Sequence, residues 1–327
     1  MNERPIVLMT HPLPAEWIGN DLDGFEVILE EGGAKGIQGK LQEYLPRAAG
    51  ILCLLDDPLP ESILNSAQNL RVISSMAVGV DNIDIAACTR RGIPVGHTPG
   101  VLTDGTADLT LALLLSVSRL LTAANNDARE GRWAGWNPTG WLGADFNGST
   151  AGILGMGKIG SAVARRLAGF GCRILFTNRS SKPELARELN AEQVDLDTLL
   201  IESDFLCLHI SLTDETRGLI NGEAFQKMKS SAILVNAARG QVVDTKALLD
   251  ALQTGQIRAA GLDVTDPEPL PPDHPLYQLE NCLITPHIGS ATYGTRRRMA
   301  QIALNNLRYG ILGKKLEHCA NPEVYIP

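Results

Sequence analysis

The sequence predicts an α/β protein of two doubly wound parallel-sheet lobes. Short apolar runs alternate with amphipathic stretches along almost the whole chain. Strands that are apolar throughout and separated by helices belong to parallel sheets covered on both faces. The length of 327 residues exceeds one ordinary core and suits two. A composition of 44% hydrophobic and 20% charged residues is that of a folded globular chain.

The elements follow in order. Candidate strands are Pro5–Thr10, Glu26–Leu29, Gly50–Leu55 and Arg71–Met76, then Thr150–Leu154, Arg173–Thr177, Phe205–His209, Ile233–Asn236, Ala259–Asp263 and Cys282–Thr285. Between Val101 and Leu121 the pattern predicts one long buried helix. Its apolar part, Leu109 to Leu121, falls short of the roughly 20 residues of a membrane span. From Asn125 to Asn147 the pattern breaks into a Gly-, Asn- and Trp-rich stretch holding Trp133, Trp136 and Trp141. A second long helix is expected from Ala291 to about Gly310. The opening Met-Asn-Glu-Arg-Pro runs directly into a strand, which is neither a signal-peptide core nor a transit peptide, so a cytoplasmic location is expected.

Charge excludes some partners. The net charge is −8 with no long basic block, so neither nucleic acid nor an anionic membrane has an electrostatic footprint. Six scattered cysteines without a C-x-x-C pair argue against a disulfide framework or a zinc site and for small core residues.

The first motif with chemistry is Gly155-Met156-Gly157-Lys158-Ile159-Gly160, a G-x-G-x-x-G loop. Its context is specific: a strand precedes it, a helix from Lys158 to about Ala168 follows, Gly171 ends that helix, and another strand comes next. Gly155 permits a tight turn, Gly157 lets backbone approach a pyrophosphate, and Gly160 lets helix pack on strand. The helix N-terminus offers free N–H groups and a positive dipole end. Without a ligand the same residues would be a glycine-rich turn. The next strand delivers Asn178, Arg179 and Ser180 to the place where an NAD-binding unit carries Asp or Glu for the ribose hydroxyl. A guanidinium and a hydroxyl there suit a 2′-phosphate, so NADP(H) is the expected cofactor and NAD(H) the alternative. The other reading of Arg179 is a solvated surface residue.

Downstream stand Asn236-Ala-Ala-Arg239-Gly240, Gly261-Leu-Asp263, Asp266-Pro-Glu268-Pro269 and Thr285-Pro-His287-Ile-Gly-Ser290. Arg239 and His287 each follow a strand whose C-terminal end faces the ligand crevice of a parallel sheet. Reducing a keto acid requires a carboxylate clamp, which Arg supplies by bidentate pairing, and a proton donor, which His supplies at neutral pH. A carboxylate beside the histidine keeps it charged and oriented. Singly, each has a bland reading: a packing histidine after Pro, a solvated turn Glu between prolines, an Arg capping a helix.

Together with Val78-Gly79-Val80-Asp81-Asn82-Ile83-Asp84, these strings make the chain resemble, over essentially its full length, the D-isomer-specific 2-hydroxyacid dehydrogenases, and within them the glyoxylate/hydroxypyruvate reductases. The resemblance implies a Rossmann-type cofactor domain at 101–290 and a flavodoxin-like substrate domain formed by 1–100 and 291–327. It implies that Arg239 binds the substrate carboxylate, that His287 paired with Glu268 is the general acid, and that the backbone of Val78 and Gly79 also holds the carboxylate, with Ser290 nearby. Thr106, Ser211, Thr216, Ala237 and Asp263 would line the cofactor beside the glycine loop. It also implies a homodimer in which the arm after the first long helix embraces the partner, Trp141 capping the partner's site or merely packing there. Where many relatives have Leu-His-Leu-Pro-Leu, this chain has Leu208-His209-Ile210-Ser211-Leu212. Ser211 then either bonds a cofactor phosphate or replaces a turn proline. The expected activity is NADPH-dependent reduction of glyoxylate or hydroxypyruvate. Alternatives are a D-lactate-like or 3-phosphoglycerate dehydrogenase, or a non-catalytic dinucleotide sensor, which the presence of all three catalytic residues disfavours.

Overall fold

The computed structural model describes residues 4–30, 33 and 35–326. The chain forms two units, one reaching Leu102 and resuming at Thr292, the other spanning Thr103–Ala291.

In the first unit the strands are β1 (Ile6–Met9), β2 (Glu26–Leu29), β3 (Ala48–Cys53), β4 (Val72–Ser75) and β5 (Val95–Gly96). They form one parallel sheet in the order β2-β1-β3-β4-β5. Every residue of β1, β3 and β4 is buried, which explains their unbroken apolar character. The helix Tyr293–Ile311 packs on β3 and β4. The order in which strands are added reverses between β1 and β3, and Asp57 closes this point from inside. Its carboxylate, 1% exposed, accepts bonds from the Thr10 hydroxyl at 2.5 Å and from the N–H groups of Gly36 and Leu54 at 2.6 Å.

The second unit holds β6 (Thr150–Leu154), β7 (Arg173–Thr177), β8 (Ala191–Gln193), β9 (Phe205–Leu208), β10 (Ile233–Asn236), β11 (Ala259–Leu262) and β12 (Cys282–Ile284). Its parallel sheet runs β12-β11-β10-β9-β6-β7-β8, reversing between β6 and β9. Neighbouring residues feed opposite faces. Leu154, Leu175, Leu206 and Leu234 enter one core, while Ile153, Phe176, Cys207 and Val235 enter the other. All strands being parallel, the loops after β6, β7, β9, β10, β11 and β12 emerge on one edge. That edge carries Gly155, Asn178, His209, Arg239, Asp263 and His287.

Three sequence expectations need correction. The helix expected over 101–121 runs only from Thr103 to Ser118. Leu120 takes a left-handed conformation (φ 54°), and a second helix, Leu121–Arg129, leaves at 62° to the first. Residues 125–129, expected to lie in an irregular stretch, are therefore helical. The short edge strands β5 and β8 were not foreseen. No single described helix is long and apolar enough to cross a membrane.

Candidate active site

The glycine loop follows β6 directly. Gly155 has φ +97°, and a Cβ there would lie 2.6 Å from the His209 carbonyl oxygen. A Cβ on Gly160 would fall 2.1 Å from the Gly155 oxygen, so this glycine lets the helix Lys158–Gly169 approach the loop. Gly157 is different: a Cβ there would meet no protein atom within 4 Å. Protein packing therefore gives no reason for a glycine at 157, whereas close approach of a ligand does. Gly157 and Lys158 are exposed, and Ile159 is half-buried. A dinucleotide pyrophosphate fits this open loop and the unsatisfied N–H groups of the helix start.

Asn178 ties the loop to the end of β7. Its Oδ1 accepts the Met156 N–H at 3.2 Å, and its Nδ2 donates to the Ser180 carbonyl at 2.8 Å and hydroxyl at 3.1 Å. Asn178 and Met156 thus hold the glycine loop against the end of β7. Arg179 and Ser180 are exposed at the same strand end. The nearby Glu215 carboxyl is held below its usual range by hydrogen bonds from Thr213 and its own backbone, and more weakly by the charge of Arg179. The loop after β9 is closed by the Thr216 hydroxyl, which donates to the Ser211 carbonyl at 2.8 Å and accepts the Thr213 N–H at 2.8 Å. The Ser211 side chain is left exposed.

Burial pushes the His209 imidazole down to about 4, so the ring is neutral. The residue keeps some exposed rim, yet both ring nitrogens are shielded from solvent and have no partner. Sequence reading assigned it no role. The signal available was a histidine ending an otherwise apolar strand.

At β10 the buried Asn236 folds the chain back on itself. Its Oδ1 accepts the Ala238 N–H at 3.0 Å and its Nδ2 donates to the Arg239 carbonyl at 2.9 Å, an Asx-type turn that leaves Ala237 and Arg239 half-buried. Gly240 then abuts the backbone at Thr265, where a Cβ would come within 1.9 Å of the carbonyl oxygen. This contact joins the Arg239 turn to the segment carrying Glu268. The Glu268 carboxylate accepts the Thr265 N–H at 3.3 Å through Oε2 and meets His287 Nδ1 at 2.6 Å through Oε1. The pair is partly open, with side-chain exposures of 24% for His287 and 34% for Glu268.

The His287 turn is held from below by Asp263. One carboxylate oxygen accepts the Thr285 hydroxyl at 2.7 Å and the Ile288 N–H at 2.8 Å; the other accepts the Gly289 N–H at 2.8 Å. His287 adopts φ +53°, an uncommon conformation that these three bonds over-determine. Asp263 is 2% exposed, and its carboxylate shapes the turn. Thr106, 6% exposed, packs beneath Gly289, and Ser290 follows half-buried. Val78 and Gly79 belong to the first unit, and are half-buried. Trp141, 46% exposed, borders a cavity of about 350 Å³ with Ser116, Leu120, Asp127, Tyr277 and Leu283. None of Arg239, Glu268 and His287 lines it.

Chemically, Glu268 accepting from Nδ1 leaves His287 Nε2 to donate or remove a proton, on the same sheet edge as a loop suited to a dinucleotide. Residues 111–289 match the family described as D-isomer specific 2-hydroxyacid dehydrogenase, NAD binding domain. A glyoxylate reductase/hydroxypyruvate reductase from Mus musculus is 46% identical over 321 residues, covering 95% of this chain and 96% of its own. A glyoxylate reductase from Korarchaeum cryptofilum is 43% identical, covering 98% and 97%. Among solved structures, an NADPH-dependent glyoxylate/hydroxypyruvate reductase from Sinorhizobium meliloti, in complex with NADP and malonate, superposes with a TM-score of 0.87 at 29% identity, covering 98% of both chains. The protein belongs to the D-isomer-specific 2-hydroxyacid dehydrogenases, oxidoreductases that work with a nicotinamide dinucleotide.

Proposed function

We propose that this protein reduces small 2-keto acids of the glyoxylate and hydroxypyruvate type to their 2-hydroxy acids, glycolate and D-glycerate, with NADPH as the electron donor. The observation that carries the reading is the 2.6 Å contact between Glu268 and His287 Nδ1, on the same sheet edge as the glycine loop. The names of the mouse and archaeal relatives support the substrate class.

A nicotinamide dinucleotide held at the Gly155–Gly160 loop would supply the hydride for the carbonyl carbon. All other demands fall on the chain. Arg239 pairs with the substrate carboxylate and orients the carbonyl. His287 donates its Nε2 proton to the carbonyl oxygen as negative charge develops there. Glu268 fixes the ring by accepting from Nδ1, and its charge stabilises the protonated imidazole before transfer. The backbone of Val78 and Gly79 adds N–H donors for the carboxylate, and Ser290 contributes to the substrate pocket. Thr106, Ala237, Ser211 and Thr216 border the nucleotide.

Preference for NADPH over NADH comes from Arg179 and Ser180, which pair with the 2′-phosphate; the NADP complex of the Sinorhizobium relative supports this. The protein acts as a cytoplasmic homodimer. The segment bearing Trp133, Trp136 and Leu142, exposed at 72%, 87% and 63%, is covered by the partner, and Trp141 caps the partner's site. The acidic net charge supports the expectation that neither nucleic acid nor membrane is a partner. The test is kcat/KM for glyoxylate, hydroxypyruvate, pyruvate and phosphohydroxypyruvate with each cofactor. The reading requires the first two to be preferred.

A further inference from the structure

We propose that His97 is a positioning residue for substrate binding: its Nδ1–H holds the Val78 carbonyl so that the Gly79 N–H is presented to the substrate carboxylate. This rests on the reading that the Val78–Gly79 backbone binds that carboxylate.

The geometry lies entirely within the first unit. His97 follows β5, and its backbone is anchored on both sides. Its N–H donates to the His318 carbonyl at 3.1 Å, and its own carbonyl accepts from Asn306 Nδ2 at 3.1 Å. Asn306 is completely buried in the helix Tyr293–Ile311. The imidazole therefore stands on a rigid base. Its Nδ1 lies 3.0 Å from the Val78 carbonyl oxygen. A carbonyl only accepts, so the proton is on Nδ1. The following residue, Thr98, donates its N–H to the Ala77 carbonyl at 2.8 Å. Two successive residues of one segment thus hold two successive carbonyls of the facing loop, Thr98 by its backbone and His97 by its side chain.

The consequence follows from peptide geometry. The Val78 carbonyl and the Gly79 N–H belong to one planar trans unit and point in opposite directions. With the carbonyl held toward His97, the N–H is directed away from it. Among the described residues, the N–H groups of Val78, Gly79 and Val80 donate to no protein group. Successive unengaged amides suit an anionic oxygen. Without the imidazole, the Val78 carbonyl has no donor among the described residues, the 78–79 peptide is held less firmly, and an N–H that wanders binds a carboxylate less well.

The test uses the cofactor-loaded full chain, with His97→Leu to remove the donor and His97→Asn to replace it, the Asn Nδ2 standing where the ring Nδ1 stood. Three quantities are measured: the Kd of oxamate by calorimetry, KM and kcat for glyoxylate, and the Kd of NADPH. His97→Leu should weaken oxamate and raise KM by about three- to tenfold, the worth of one neutral hydrogen bond. The effect on kcat should be smaller, NADPH affinity should stay unchanged, and His97→Asn should recover most of the loss. Unchanged oxamate affinity in His97→Leu overturns the proposal. So does a parallel loss of kcat, oxamate and NADPH affinity that Asn fails to rescue, since that is structural damage. Wild-type enzyme that neither reduces glyoxylate nor binds oxamate overturns the underlying reading, whatever the variants do.

Discussion

Glu268→Gln isolates the charge of the catalytic pair from its geometry. Gln keeps an oxygen that accepts from His287 Nδ1, so the 2.6 Å contact survives in neutral form. A charge-assisted hydrogen bond contributes about 1.5–3 kcal/mol and a neutral one about 0.5–1.5. The difference is about 1–1.5 kcal/mol, and it must be discounted because His287 and Glu268 are 24% and 34% exposed. About 1 kcal/mol remains, so kcat/KM for glyoxylate should fall by about fivefold. Glu268→Ala also removes the Thr265 N–H acceptor and frees the ring to rotate, and should cost about a hundredfold. The assay is steady-state reduction at saturating NADPH, with NADPH binding measured separately and expected to stay unchanged. Wild-type kcat/KM in Glu268→Gln would refute the reasoning. Equal losses in Gln and Ala would show that the contact's geometry contributes nothing.

Three further outcomes are expected. Asn178→Asp combined with Arg179→Ala should turn a preference for NADPH of about ten- to a hundredfold into a preference for NADH, measured as kcat/KM for both at fixed ionic strength; a wild type indifferent to the 2′-phosphate would return Arg179 to the surface. His209, depressed to about 4 from an ordinary 6.5, binds its proton in the unfolded chain first. Stability is therefore complete above pH ~6.5 and falls by on the order of 2–3 kcal/mol as pH drops toward ~4, a loss that His209→Gln should abolish in urea titrations at both pH values; identical acid sensitivity in the variant contradicts this. Finally, replacing Trp133 and Trp136 with Ser should weaken a dimer seen by sedimentation at micromolar concentration, and a wild-type monomer there would remove the partner role of Trp141.

Much of the fold was legible because parallel strands buried on both faces are uniformly apolar. Thr150–Leu154 and Ile233–Asn236 have the bounds that their apolar runs suggest, and so does Arg173–Thr177, buried at its centre. The missed strands lack such a run: β5 has two residues, and β8 is the edge sequence Ala-Glu-Gln with Glu192 and Gln193 exposed. The break at Leu120 had no signal, since the apolar run continues through Leu120-Leu121 and no glycine or proline marks the left-handed residue. In the site, the placement of Gly155, Arg239 and His287 just after strand ends was legible from motif and topology. The supporting roles were not. Asp263, Asn178 and Met156 spend their polar groups on bonds to loops distant in sequence, and only the folded chain sets those loops side by side. Asn236 was more accessible, because Asn at a strand end before Ala-Ala-Arg-Gly is an Asx-turn signature.

The central claim is that His287 delivers the proton. His287→Asn keeps a hydrogen-bonding side chain and removes the acid. The measurement is kcat for glyoxylate reduction alongside the Kd of NADPH. The account predicts a kcat lowered by about 10²–10⁴ with cofactor affinity nearly unchanged. Near-normal turnover in that variant would contradict it.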